Sequence, residues 1–213
     1  MSGIVTAMKV QKRNPQRVNI YLDGEYAFGL ARITAGWLQV GQQLSDEKIA
    51  LLKAQDSHEA AYQKALGFLD YRPRSRAEVR KNLEKHGYES DVIEQVLERL
   101  GRAGLVNDDQ FAQTWVDNRS EFRPRGRRML SLELRQKGLD DEAIESALSG
   151  LDEETLATQA ARKYQRKLEG LPKPEFRRKL AGFLARRGFG YAVIEPVLER
   201  VWQETLTLED DNA

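Results

Sequence analysis

The side chains best suited to covalent or metal chemistry are scarce in this sequence. The chain of 213 residues contains no cysteine and two histidines, His58 and His86. A disulfide framework and a thiolate metal site are therefore excluded, and a metal-dependent or Cys/His nucleophilic site is nearly so. The sequence contains neither a Gly-x-x-x-x-Gly-Lys-Ser/Thr loop nor a Gly-x-Gly-x-x-Gly fingerprint for phosphates. We predict a protein that is not an enzyme and that holds neither a cofactor nor a metal.

Arginine is the functional residue type that this sequence does concentrate. The formal net charge is only +1, but the cations recur in three groups. The planar guanidinium suits bidentate contact with phosphate or carboxylate, so the groups predict a polyanion or an acidic protein groove as partner. Reversing Arg125, Arg127 and Arg128 to glutamate should weaken partner binding but leave the melting temperature nearly unchanged, because surface charges contribute little to stability. Any single group could equally be an ordinary solvated helix face. The predicted binding residues are Arg72, Arg74 and Arg76, then Arg119, Arg123, Arg125, Arg127 and Arg128, and finally Lys173, Arg177, Arg178 and Arg186.

An internal repeat places these groups at the same position in three copies of one unit. Gly87, Gly138 and Gly188 are 51 and 50 residues apart. Each has a proline fourteen residues before it, a leucine four before it, a large apolar residue directly after it, and isoleucine and leucine six and ten after it. Proline favours the start of a helix, glycine can end it in a left-handed conformation, and apolar residues four apart mark a buried stripe. The pattern predicts three helices in each unit.

Stacking of such short units should bury their apolar faces in an elongated or crescent array, with the basic groups along one edge as a positive groove. Ser75 with Glu78 is a capping box for the middle helix of the first unit, while Ser90, Asn107 and Asp152 are expected to start later helices. The predicted helices are 58–70, 76–86 and 91–103, then 108–121, 125–137 and 141–149, then 153–169, 174–187 and 191–206.

The repeat also explains several side chains that could otherwise suggest chemistry. His86 occupies the position of Lys137 and Arg187, where a cation complements the negative end of a helix dipole, so a catalytic role is disfavoured. Trp115 and Trp202 fall on apolar helical stripes, where core packing is expected rather than base stacking. The carboxylates lie beside lysines and arginines on predicted solvent faces, and none suggests an acid–base dyad.

The N-terminal quarter follows a strand pattern instead. Asp23-Gly24 is typical of a two-residue hairpin, Asn14-Pro15 suggests a second turn, and Ser45 can cap a linking helix. We therefore expect a small antiparallel meander with strands over residues 4–11, 17–22 and 25–30.

The predicted fold class is mainly α, with three tandem helix-turn-helix-like repeats preceded by the meander. Neither a signal peptide nor a transmembrane stretch is apparent, so we expect a cytoplasmic monomer that does not contact membranes. The predicted domains are 1–56 for the meander and linking helix, 57–106, 107–151 and 152–206 for the repeats, and 207–213 for a disordered acidic tail.

Specific motifs in the repeats resemble the RecX family. The resemblance covers about residues 57–206, although the third repeat lacks the Phe-Ala and Arg-x-Gly features. The β-rich extension is similar to that of some longer members. The first repeat is matched by Arg74-Ser75-Arg76-Ala77-Glu78, Leu83, Gly87-Tyr88 and Gly104-Leu105-Val106-Asn107-Asp108. The central repeat is matched by Asp109-Gln110-Phe111-Ala112, Arg119, Arg125-Gly126, Leu130, Leu134, Lys137-Gly138, Ile144 and Ala147-Leu148.

The resemblance implies a modulator that binds in the helical groove of RecA filaments on DNA and restrains RecA. Weak, salt-dependent contact with single- or double-stranded DNA is implied as well. The family supplies no catalytic residues. Arg119, Arg125 and Gly126 match its motif, but Arg119 could equally pair with Glu121 or Glu133. An independent DNA- or RNA-binding helical repeat protein is the alternative, because three-helix units resemble helix-turn-helix domains. The sequence leaves open whether RecA is inhibited or stimulated, whether filaments are capped or bound along the groove, and which strand form is preferred.

Overall fold

The computed structural model describes residues 2–210, without the side chains of 206–210. The chain divides into two compact units. Unit 1 contains the residues up to Arg74 together with Glu78–Val106, and unit 2 contains Ser75–Ala77 and the residues from Asn107 onward.

Unit 1 begins with an antiparallel sheet in the order β3-β2-β1-β4. Asp23 and Gly24 both have positive φ, 48° and 90°, which is the hairpin geometry expected of an Asp-Gly turn. The predicted meander is confirmed. The expected turn at Asn14-Pro15 is wrong, because both residues open the second strand, where a missing proline N–H is tolerated, and the turn lies at residues 12–13. The strands are β1 (Gly3–Gln11), β2 (Asn14–Leu22), β3 (Glu25–Ala31) and β4 (Gln43–Leu44).

The fourth strand was not predicted, because two residues give no periodic pattern. One face of the sheet forms a core with the short helix α1 (Arg32–Ala35) and the start of helix α2 (Asp46–Leu69). Val5, Ile20 and Leu30 are completely buried in this core.

Helix α2 is a single helix of 24 residues where the sequence suggested two. Ser45 caps it as predicted, since its Oγ accepts the N–H of Lys48. The expected break near residue 56 is absent because Asp56 is buried within the helix, where its carboxylate accepts hydrogen bonds from Arg17 Nη2 and from the backbone N–H of Ala31. The predicted boundary between residues 56 and 57 therefore falls inside a helix.

The three predicted three-helix repeats are confirmed, each with its own apolar cluster. Asn107 and Asp152 cap their helices as expected, by accepting the N–H groups of Gln110 and Thr155. Ser90 is not a cap, because the helix already includes it and Glu89 occupies the cap position. The repeats consist of the second half of α2 with α3 (Arg76–Lys85) and α4 (Ser90–Arg102), then α5 (Asp108–Phe122), α6 (Arg127–Gln136) and α7 (Asp141–Leu148), then α8 (Glu153–Gln165), α9 (Lys173–Arg186) and α10 (Tyr191–Asp210).

The repeat glycines end the middle helices as predicted. Gly87, Gly138 and Gly188 have φ of 78°, 79° and 88°. In every repeat the apolar residue after the glycine donates its N–H back to the leucine four residues before the glycine, the 6→1 bond of a Schellman stop. These bonds are Tyr88 N to Leu83 O, Leu139 N to Leu134 O and Phe189 N to Leu184 O, each 3.3 Å.

Helix α10 extends further than predicted, to Asp210. Residues 207–210, which were expected to belong to a disordered tail, are therefore helical. The segment Leu206-Thr207-Leu208 contains no helix breaker. Residues 211–213 of that tail lie outside the described residues.

Candidate binding surface

The third predicted basic group is largely paired within its own repeat. Lys173 Nζ and Arg177 Nη1 each lie 3.0 Å from a carboxylate oxygen of Glu199, and Arg177 also pairs with Glu195. Hydrogen bonds from Gln203 and Lys173 lower the pKa of Glu199. Lys173 and Arg177 therefore join α9 to α10 rather than present free cations.

Exposed cations nevertheless remain in this group. Arg178 is exposed, and its nearest carboxylate, that of Glu175, is 4.0 Å away. Arg186 is exposed at the end of α9.

Two arginines of the central group serve one buried carboxylate. Glu133, whose side chain is 13% exposed, accepts hydrogen bonds from Trp115 Nε1 and Arg119 Nε, both 2.8 Å long. Arg125 Nε lies 3.0 Å from its other oxygen. Of the two acids considered for Arg119, Glu133 is the partner. Arg119 and Arg125 thus hold α5, α6 and the segment between them together, in a network that includes the indole of Trp115.

Arg127 is also used by the fold. Its Nη2 donates to the carbonyl of Leu148 at 2.6 Å, and its backbone N–H donates to Glu153 Oε1 at 2.8 Å. The first bond satisfies the end of α7 and the second caps the start of α6. Arg125 and Arg127 were expected to be surface charges whose reversal leaves folding nearly unchanged, but both make contacts within the fold. Arg119 follows the structural alternative that was left open for it, as a partner of Glu133.

The segment 123–128 lies directly against the end of α9. The N–H of Gly126 donates to the carbonyl of Arg187 at 2.9 Å, and Arg187 Nη1 donates to the carbonyl of Pro124 at 3.0 Å. A Cβ on Gly126 would lie 2.4 Å from the oxygen of Gly188, so only glycine permits this contact between backbones. The second and third repeats are therefore joined backbone to backbone.

This joint collects positive charge. Burial, Arg125 and Arg123 together lower the pKa of Arg187, because like charges nearby disfavour another cation. Arg123, Arg128 and Arg186 are exposed on the same two segments, and within residues 2–210 none of the three forms an ion pair. We call Arg123, Arg125, Arg128, Arg186 and Arg187 the arginine joint.

Arg187 was not among the predicted binding residues, because it was explained as a helix-terminal cation. Its position next to the repeat glycine, like that of Lys137, was the available indication, but only the fold shows that it faces a second arginine segment. Within the arginine joint Arg125 is paired with a carboxylate, that of Glu133, and the exposed Arg123, Arg128 and Arg186 have no such partner in the described part of the chain, which suits an anionic ligand.

The same construction occurs a second time in unit 2. Ser75 Oγ donates to the carbonyl of Lys137 at 2.6 Å, and the N–H of Arg76 donates to Asp108 Oδ1 at 2.8 Å. These residues are the repeat equivalents of Gly126, Arg187, Arg127 and Glu153. Arg76, one of the predicted binding residues, thus starts its helix in the same way as Arg127.

The two remaining members of the first group belong to unit 1. Arg72 Nη2 pairs with Glu78 Oε1 at 2.9 Å, and the guanidinium of Arg74 lies 4.0 Å from the ring centroid of Phe68. Burial and the neighbouring charge of Arg72 lower the pKa of Arg74. These two cations are close to each other but already engaged.

Other kinds of site can be assessed over the described part of the chain. Across residues 2–210, histidine and carboxylate side chains nowhere gather in a group of three or more that could hold a metal ion. Over the same range, no helix has both the length and the apolar content needed to cross a membrane.

Comparison with known proteins gives a consistent result along the whole chain. Residues 3–45 match the regulatory protein RecX N-terminal domain, and residues 61–100, 107–148 and 152–198 match the first, second and third RecX three-helix domains. The regulatory protein RecX of Bacillus subtilis is 33% identical over 205 residues, which cover 94% of this chain and 78% of that protein. Its counterpart in Mycolicibacterium smegmatis is 41% identical over 147 residues, covering 66% and 78%.

Solved structures agree with the sequence matches. A crystal structure of regulatory protein RecX superposes with a TM-score of 0.75 at 27% identity, covering 92% of this chain and 99% of that one. The structure of RecX from Lactobacillus salivarius gives a TM-score of 0.63 at 26% identity, covering 68% and 97%.

Proposed function

The chain belongs to the RecX family of regulatory proteins, and on that premise we propose that it binds RecA filaments on DNA and inhibits the ATPase, recombinase and co-protease activities of RecA. The family name supplies the RecA partner. The arginine joint is the observation that carries the proposal, since it offers a site for an anionic ligand without any catalytic group beside it.

The arginine joint favours a polyanionic or acidic ligand for an energetic reason. Burial is the main cause of the lowered pKa of Arg187, and the nearby charges of Arg125 and Arg123 add to it. A phosphate backbone or an acidic protein groove would offset these like charges and would gain charge-assisted hydrogen bonds. The exposed Arg128 and Arg186 extend the same positive surface.

Inhibition of this kind needs no chemistry in the regulator. A protein that binds one conformational state of a filament more tightly than another shifts the filament toward the favoured state. ATP hydrolysis by RecA then falls because the turnover-competent state is less populated.

The proposal predicts that the inhibition depends on the exposed arginines of the joint. The double variant Arg123→Glu/Arg128→Glu avoids Arg125 and Arg127, which the fold uses, and it should lose most of the inhibition while keeping its melting temperature. The measurement is DNA-dependent ATP hydrolysis by RecA across a titration of each protein.

The matched control is Lys163→Glu/Arg166→Glu. It makes the same change in charge on two exposed residues near the end of α8 and should inhibit like the unmodified chain. If the unmodified chain leaves RecA turnover and filament length untouched at saturation, the RecA proposal is wrong. Equal affinity for bare DNA and for RecA filaments would instead support an independent nucleic-acid-binding protein.

A further inference from the structure

The sheet of unit 1 has one face in the core and one face exposed. Along β2, Val18, Ile20 and Leu22 are buried. Because side chains alternate along a strand, Asn19 and Tyr21 lie on the opposite face. The residues on that opposite face belong neither to the arginine joint nor to the helical repeats.

Strand pairing fixes which residues lie together there. Tyr21 pairs with Ala7 on β1 and with Tyr26 on β3, and Asn19 pairs with Lys9 and Gly29 in the same order. Pairs directly opposite each other share a face. We call the two rows the outer sheet face: Ala7, Tyr21 and Tyr26 in one, and Lys9, Asn19 and Gly29 in the other.

The outer sheet face presents an aromatic platform. Tyr26 exposes 60% of its surface. Its ring lies edge-on to that of Tyr21, with 6.1 Å between centroids, and Lys9 Nζ lies 4.9 Å from the Tyr21 centroid. Ala7 and Gly29 are small and do not cover the ring of Tyr26, and the contact of Lys9 is with the ring of Tyr21. Tyr26 is thus held in place from one side and is accessible from the other.

Polar groups suited to nucleotides surround this platform. Gln11 Nε2 donates to Asn19 Oδ1 at 2.7 Å, which orients the Asn19 amide and leaves its NH₂ available as a donor. The first 32 residues contain five cations, Lys9, Lys12, Arg13, Arg17 and Arg32, against two acids, Asp23 and Glu25. Both acids lie at the β2–β3 turn, and Asp23 is occupied there by the N–H of Ile4. Arg17 is paired with Asp56, and the remaining four cations still exceed the two acids, so this segment complements a polyanion.

We propose that the outer sheet face binds single-stranded nucleic acid, with Tyr26 stacking on a base and Lys9 contacting the backbone phosphate. An exposed aromatic ring beside cations is how sequence-tolerant single-strand surfaces work, because every base has a π-face. A protein partner would favour larger apolar residues around the tyrosines than Ala7, Asn19 and Gly29. The inference does not rest on the proposed RecA function, since it concerns DNA alone and a different surface.

The test is binding of a short fluorescein-labelled oligothymidine to the full chain, measured by fluorescence anisotropy without RecA. Tyr26→Ala should weaken binding roughly 5- to 150-fold, the range for loss of one base–aromatic stack. Tyr26→Phe keeps the ring and should bind like the unmodified chain. Tyr191→Ala removes another exposed tyrosine, 77% exposed at the start of α10, and is the matched control, expected to have no effect.

Salt dependence separates the two expected contacts. Tyr26→Ala should leave the log–log slope against salt unchanged, because stacking releases no counterions, whereas Lys9→Gln should reduce the slope by about 0.7. Unchanged affinity of Tyr26→Ala, or equal weakening by Tyr191→Ala, would overturn the proposal. It would also be overturned if Tyr26→Ala kept DNA affinity but lost binding to RecA filaments, because the face would then be a protein contact. Loss of inhibition by the Arg123/Arg128 reversal, measured with RecA present, bears on the other proposal alone.

Discussion

At the scale of single residues, Glu133 combines two demands that are usually separate. Its carboxylate satisfies the indole N–H of Trp115, and it also neutralises Arg119 and Arg125. The guanidinium of Arg119 lies 4.2 Å from the Trp115 ring centroid, so removing the acid would affect the stacking as well as the ion pairs. Arg119 and Arg125, which match a family motif, therefore have a structural role as partners of Glu133.

Replacing that acid should destabilise the protein. Glu133→Ala leaves Arg119 and Arg125 partly buried without their shared carboxylate, and a cost of about 2 kcal/mol is expected, as for hydrogen bonds to charged groups. Urea denaturation would measure the change in the free energy of unfolding. Glu121→Ala, at an exposed position on α5, is the control and should change it by less than about 0.5 kcal/mol. Equal stability of the two variants would show that the network contributes nothing.

At the scale of elements, the repeat glycine has one structural role in the first repeat and two in the third. All three repeat glycines have positive φ, but around Gly87 there is open space for a Cβ, whereas a Cβ on Gly188 would lie 2.5 Å from the backbone nitrogen of Met129. Gly188 therefore both ends α9 and allows α6 to approach it.

The two glycines should respond differently to the same substitution. Gly87→Ala is expected to cost about 1–2 kcal/mol for the left-handed conformation alone. Gly188→Ala should cost that amount and roughly 1–3 kcal/mol more for the steric overlap. Thermal and urea denaturation of both variants measure the difference. Similar losses of stability in the two variants would mean that Met129 moves aside to accommodate the added Cβ.

The elements also show where sequence reasoning succeeds and fails. Helix ends that depend on local chemistry were predictable, because the cap at Asn107 and the stop at Gly138 act through neighbouring residues. The continuity of α2 was not, since a linking helix and a separate helix over 58–70 were predicted. The burial of Asp56 within one helix depends on its partner Arg17, 39 residues away in sequence. Arg187 was not predicted as a binding residue for the same reason, because its neighbours Arg123 and Arg125 are distant in sequence.

At the scale of the whole molecule, charge distribution matters more than net charge. A formal charge of +1 gives no indication of nucleic-acid contact. Yet the acids occupy helix starts and ion pairs, as Asp152 and Glu199 do, while exposed arginines such as Arg123 are left unpaired in the described part of the chain. Local fields of this kind guide charged partners even when the total charge is close to zero.

Binding to bare DNA should therefore be weak and steeply dependent on salt. Each phosphate contacted on a single strand contributes about 0.7 to the log–log slope, so Arg123→Glu/Arg128→Glu should reduce the slope by about 1.4. Anisotropy titrations over a range of salt concentrations measure it, with Lys163→Glu/Arg166→Glu as the variant of equal charge. A slope that is the same in both variants would place the phosphate contacts elsewhere.

The hydrogen bond that caps α6 has a consequence for the order in which parts of the protein can fold during synthesis. The first N–H of α6 is satisfied by Glu153, and the N–H of Gly126 by the carbonyl of Arg187. Both acceptors are encoded downstream of the helix that they complete. On a ribosome the chain emerges from its N-terminus, so these N–H groups at the start of α6 stay hydrogen-bonded to water until Glu153 and then Arg187, some sixty residues after Gly126, have been synthesised. The last hydrogen bonds of the central repeat therefore form only after the third repeat has been synthesised.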